Sequence, residues 1–136
     1  IVQSRSPKCT TRRPSPREIL DGHATFRRQL AGVRATLEGL GKRGAPALGF
    51  GAAQMVPTLA YHMESDLGFL EAILDDNPAK AGLTYPGIAT EIRPANAFPT
   101  LSRHAVMLTA LDSARTLLPR LAASDARYVV NPCNPF

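Results

Sequence analysis

Several things are missing from this sequence, and each absence excludes a class. No apolar run approaches the roughly 18 residues of a membrane span, and no apolar core follows the early arginines, as a signal peptide requires. The two cysteines, Cys9 and Cys133, lie near opposite ends and form no C-x-x-C pair, so neither a zinc site nor a disulfide is read from them. The three histidines, His23, His62 and His104, build no H-E-x-x-H, no Ser-His-Asp order and no metal spacing. No aromatic residue interleaves with the arginines as a stacking platform for bases, which argues against nucleic acid as a partner. A cytoplasmic protein is the expectation. The start at Ile1 rather than Met leads to the further expectation of a processed form or a fragment.

What remains is enough for one domain with a real core: 136 residues, 44% apolar and 20% charged. The net charge of +5 is unevenly placed. Residues 1–43 hold ten Lys/Arg against three acidic residues, whereas the rest holds six against eight. The basic character therefore belongs to the leading segment. Residues 1–14 read as a basic linker or tail, rich in Ser, Thr, Pro and Arg without periodicity. The domain follows over residues 15–136.

Ser15-Pro16-Arg17-Glu18 is a helix start, with a capping serine, proline in the first turn and the glutamate of a capping box. The stripe Ile19, His23, Phe26, Leu30, Val33, Leu37 and Leu40 makes one amphipathic helix over residues 15–41, ended by Gly41 and Gly44. On this reading His23 packs with the stripe, His62 is a surface or packing residue, and His104 is exposed. From residue 45 to 131 the chain alternates. Strands are expected at Ala45–Phe50, Phe69–Leu74, Ala89–Ile92, Ala105–Ala110 and Arg127–Asn131. Between them fall helices at Pro57–Met63 and Ala114–Ala123, a turn at Thr84–Gly87 and a helical turn at Ala97–Leu101. Strands alternating with helices imply parallel pairing. The expected fold is α/β: a three-layer sandwich with a mostly parallel sheet, preceded by a long amphipathic helix.

Ligands of open α/β sheets sit at the carboxyl ends of strands, near the switch in strand order. Three pieces should gather there. Gly49-Phe50-Gly51-Ala52-Ala53 lets backbone approach a ligand, before a helix whose N–H groups face an anion. Pro57 places the start of that helix late and leaves Gly51–Val56 as a true loop. Asp75 and Asp76 close the second strand, in position to accept from ribose hydroxyls; Asp76 follows Gly51 by 25 residues, near the spacing of dinucleotide folds. The third piece is the end of the fourth strand, around Thr109 and Asp112. Against this, the third glycine of the dinucleotide fingerprint is missing, and Asp75-Asp76-Asn77-Pro78 also reads as a turn with an Asx cap. No side chain stands out as a general base.

The order of these pieces resembles a known family. A basic amphipathic helix leads into GKRGAPALGFGAAQ, then LEAILDDNPAKAGLTYPG, HAVMLTA and ARYVVNP. This is similar to the Rossmann-like C-terminal domain of S-adenosylmethionine-dependent sugar C-methyltransferases, over about residues 17–132. The most specific parts are Gly49–Ala53 with Thr58-Leu59, and Asp76–Lys80 running to Pro86-Gly87. Those enzymes have a zinc-binding module, a middle methyltransferase domain and this third part, and act on nucleotide-linked sugars.

The resemblance implies that the cofactor, S-adenosylmethionine, sits on a middle domain and not on this chain. It implies that the nucleotide sugar lies between the two domains, and that this chain alone is inactive. The substrate-binding residues it implies are Gly49, Phe50, Gly51, Ala52, Ala53, Thr58, Asp76, Asn77 and Lys80. The loop would approach the nucleotide, Asp76 would take hydroxyls and Lys80 would balance phosphate charge. Tyr61-His62-Met63-Glu64 looks superficially like the family's catalytic Y-H-E-H motif, but that motif belongs to the middle domain, so no catalytic role is carried over. The chain departs from the family loop G-A-A-A-K-G-N-T at Gln54-Met55-Val56-Pro57, where Met55 replaces a lysine that could meet a phosphate. After Pro86-Gly87, Ile88-Ala89-Thr90-Glu91 stands where the family tends to read T-H-I-P. Two other readings stay open: a dinucleotide-binding oxidoreductase fragment, and a non-catalytic interaction module that docks through its basic helix.

Overall fold

A computed structural model describes residues 12–133. Most of the expected basic tail, and Cys9, lie outside the described residues. Helix α1 spans Pro16–Lys42. Its start is the capping box read from sequence: Ser15 Oγ accepts from the Glu18 N–H at 3.2 Å, and the Glu18 carboxylate accepts from the Ser15 N–H at 2.9 Å. The helix runs through Gly41 and stops after Lys42, where Gly44 turns the chain at φ +89°.

Phe26, Leu30, Val33, Leu37 and Leu40 pack α1 onto the sheet, with Leu30 and Leu37 fully buried. The front of the stripe behaves differently. Residues 12–25 are all exposed, Ile19 at 57% and His23 among them. Length explains the correction. A 27-residue helix is about 40 Å long. The longest strand, with six residues, covers only about 20 Å, so the helix overhangs its sheet.

Five strands follow: β1 (Ala47–Phe50), β2 (Leu70–Asp75), β3 (Ile92–Pro94), β4 (Ala105–Leu108) and β5 (Tyr128–Val130). They lie in the order β3-β2-β1-β4-β5, every neighbouring pair parallel. Helix α2 (Val56–Met63) joins β1 to β2, and α3 (Ala114–Ala122) joins β4 to β5. The central strands are apolar on both faces, as a sheet covered on both sides requires. Ala47, Ile73, Ala105 and Met107 meet α1 and α2 on one face. Leu48, Phe50, Ala72, Leu74, Val106 and Leu108 meet α3 and the 95–104 segment on the other. The fold is a Rossmann-like three-layer sandwich.

The pairing of β1 with β2 slips by one residue, from Ala47↔Leu70 to Gly49↔Ile73. This bulge lets Leu70 and Ile73 share a face and turns Glu71 outward. There the Glu71 carboxylate lies 3.1 Å from His104 Nε2. His104 is thus mostly covered rather than exposed as expected, its ring edge-on to Phe98 at 5.4 Å. The third strand is displaced from Ala89–Ile92 to Ile92–Pro94, because Thr90 is buried and donates its hydroxyl to the Leu67 carbonyl at 2.6 Å. The helical turn expected at Ala97–Leu101 is a single 3₁₀ turn at Ala95–Ala97. Among the described residues no helix is long and apolar enough to cross a membrane, and no group of three His, Cys, Asp or Glu side chains could hold a metal ion.

Candidate functional site

The strand order reverses between β1 and β4, and the glycine stretch lies at that point. Gly49 is inside β1. A Cβ there would sit 3.0 Å from Thr109 Cγ2 and 3.2 Å from Ile73 Cγ1, so this glycine lets neighbouring side chains close over the strand. Gly51 has φ +100°, and a Cβ on it would come within 2.3 Å of the Ala110 Cβ. It therefore allows both a turn and a backbone contact that other residues forbid. The ends of β1 and β4 are clasped there: Phe50 O accepts from the Thr109 N–H at 2.9 Å, and Thr109 Oγ1 donates to Gly51 O at 2.7 Å.

The next residues are stitched to the segment after β2. Asp75 Oδ2 accepts from the Ala52 N–H at 2.8 Å, and Oδ1 from the Asn77 N–H at 2.8 Å. Lys80 Nζ donates to Ala52 O at 2.8 Å and lies 3.4 Å from Asp75 Oδ2. Tyr85 OH donates to Ala53 O at 2.8 Å. Burial, and secondarily the Asp75 charge, push the Tyr85 phenol above its ordinary value, so it stays a donor. Asn77 Oδ1 accepts from the Ala79 N–H at 3.0 Å and caps the 3₁₀ turn Pro78–Lys80, the Asx arrangement legible in the sequence.

Above this framework opens a cleft of about 890 Å³. Its walls come from Phe50–Met55 after β1, Asp75, Asp76, Lys80 and Leu83–Tyr85 after β2, and Ala110, Asp112, Ser113 and Leu117 after β4. Met55 and Leu83 are both large, apolar, exposed and on the lining. At the rim, Arg120 forms a two-pronged ion pair with Asp76, one prong 2.9 Å long, and its guanidinium lies 5.0 Å from the Phe50 ring centroid. The Arg120 hydrogen bond holds the Asp76 carboxyl below the usual range.

Of the residues singled out from sequence, Phe50, Gly51, Ala52, Ala53, Asp76 and Lys80 meet on this cleft. Gly49 lies beneath it as packing, Thr58 is exposed on α2 outside the lining, and Asn77 caps its turn. Thr109 is fully buried and secures Gly51, while Asp112 reaches the cleft. Sequence reasoning missed Tyr85, Leu83 and Arg120. Tyr85 precedes the Pro86-Gly87 turn and was readable as a loop residue. Arg120 gave no local signal, because its partner Asp76 is 44 positions away.

Residues 19–130 match the family described as C-methyltransferase C-terminal domain. The chain belongs to that family. No curated protein and no solved structure shows a significant match to it. In this C-methyltransferase C-terminal domain, Tyr61-His62-Met63-Glu64 contributes nothing to the cleft lining. His62 packs edge-on against His23, Phe26 and Tyr61, with ring centroids 5.2–5.7 Å apart, and Glu64 pairs with Arg27.

Proposed function

We propose that this domain binds the nucleotide-sugar substrate of an S-adenosylmethionine-dependent C-methyltransferase and closes over the site of methyl transfer. On this reading it pairs with a methyltransferase domain that carries the cofactor, and methylates nothing by itself. One observation carries the reading: in a member of this family, a cleft of about 890 Å³ opens at the switch point of the sheet, lined by glycine-loop backbone, Lys80 and apolar lips, with Arg120 paired to Asp76 at its edge. Lys80 has three N–H donors and uses two of them on Ala52 and Asp75, which leaves one for a ligand.

The dinucleotide alternative fits less well. It needs a free carboxylate at the end of β2 for a ribose. Asp75, the last residue of β2, already accepts from two backbone N–H groups, and the third glycine of the dinucleotide fingerprint is missing. Calorimetric titration with TDP, UDP, S-adenosylmethionine and NAD tests the reading. A pyrimidine diphosphate binds, and the other two ligands do not. NAD binding would restore the oxidoreductase reading. Silence from all four with a folded chain would leave the substrate role without support.

A further inference from the structure

We propose that Arg120 is the anion-binding side chain of the cleft, taking the diphosphate of the ligand, and that Asp76 occupies its guanidinium only until that ligand arrives. The inference rests on the substrate-cleft reading and assigns a group within it. Ser113, Leu117 and Arg120 follow one another at spacings of four and three, so they share a helical face. The first two line the cleft, which puts Arg120 at the outer end of the same row.

Two things hold the guanidinium there. One is Asp76. The other is the Phe50 ring at 5.0 Å, which forms part of the cleft floor and keeps its place whether or not Asp76 is paired. The ion pair is exchangeable, since the two side chains are 52% and 55% exposed and pay little to part. A phosphate offers the same two-pronged geometry as a carboxylate with more charge. Asp76 is thus a resident stand-in for a ligand anion.

The lips of the cleft fit this assignment. Met55, at the start of α2, and Leu83 make that end of the cleft apolar. The anionic part of a ligand is then directed to the Arg120 end, and its apolar or planar part to Met55 and Leu83. Two other carboxylates face the cleft. Asp75 is quenched by two backbone N–H groups and Lys80, whereas Asp112 on the lining weakens anion binding without blocking it.

The test is calorimetric titration of the 136-residue chain at low salt with TDP and with inorganic pyrophosphate, comparing wild type, Arg120→Gln, Arg120→Lys and Asp76→Asn. Both replaced side chains are exposed, and a thermal melt of each variant confirms that it is folded. Arg120→Gln weakens both ligands about tenfold or more, the loss of a charge-assisted bond. Arg120→Lys recovers part of that, because charge is kept and the fork is lost. Asp76→Asn tightens both several-fold by removing the competitor. TDP binding that ignores Arg120→Gln, or that weakens in Asp76→Asn as loss of a hydroxyl acceptor predicts, overturns the assignment while leaving the substrate cleft intact. Failure of TDP and pyrophosphate to bind wild type and Asp76→Asn alike overturns both.

Discussion

Two residues apart, Gly49 and Gly51 answer different constraints, and the sequence shows them as the same letter. Both read as loop glycines beside a ligand. Only Gly51 has the positive φ, and only its missing Cβ faces another backbone-fixed atom, the Ala110 Cβ at 2.3 Å. The nearest obstacle to a Cβ on Gly49 is a side-chain methyl of Thr109 at 3.0 Å, which can yield by a few tenths of an ångström. Gly51→Ala should therefore be the costlier change. The φ alone costs about 1–3 kcal/mol, and the overlap with Ala110 adds to it. Urea unfolding of the two variants checks this; equal losses would contradict it. The aspartates show the same limit. Sequence placed Asp75 and Asp76 at the end of a strand, where they are, but not which oxygen meets which donor. Asp75 is consumed by Ala52 and Asn77 because the loops after β1 and β2 touch, and that contact is a property of strand order rather than of any local motif.

Elements were more legible where a period or a cap marks them than where a neighbour decides. The α1 start, and the α2 start at Val56 with Pro57 in its first turn, followed from capping chemistry and proline sterics. The third strand did not, because Ile88–Pro94 carries β-branched residues on both sides of Thr90, and burial of that hydroxyl sets the boundary. Pro94 is tolerated because it ends an edge strand, where a missing donor is harmless. The overhang of α1 divides that helix energetically. Ser15→Ala removes an N-cap normally worth about 1 kcal/mol, but the first turn is exposed on the overhang. It should lower helical ellipticity and speed amide exchange near residue 18 while leaving the urea midpoint almost unchanged. Arg34 sits in the docked half and donates to the carbonyls of Met63 and Glu64, at 3.0 and 2.8 Å, where α2 ends. Arg34→Gln should lower global stability by about 1.5–3 kcal/mol, the range for hydrogen bonds to a charged group. Comparable global losses from both variants would mean that the front of α1 is docked after all.

For the whole molecule, alternation of strands and helices was enough to infer a parallel three-layer sheet, since a parallel crossover has few other solutions. The order β3-β2-β1-β4-β5 was not readable, because every central strand is apolar on both faces and no pattern within one strand names its neighbour. That order brings Asp76 to Arg120 and Asp125 to Thr100 across 44 and 25 positions, and together with the local cap at Glu18 these contacts make the fold sensitive to acid. Three carboxyls have values below the ordinary range. Glu18 is lowered by Arg12 and the Ser15 N–H, Asp76 by Arg120, and Asp125 by the Thr100 hydroxyl and the Leu101 N–H. In the unfolded chain these groups titrate near about pH 4, so on acidification the unfolded state binds protons first. Their contribution is complete above that range and is lost as pH falls through the lower folded values. Asp125→Asn removes one of these groups, and the hydrogen bond from Thr100 with it in its charged form. The variant should be less stable than wild type near pH 7, and its urea midpoint should fall less steeply between about pH 5 and pH 3. The two curves should converge at the acid end, where wild-type Asp125 is itself protonated. Curves that stay parallel down to pH 3 would show that Asp125 is not a source of the acid sensitivity.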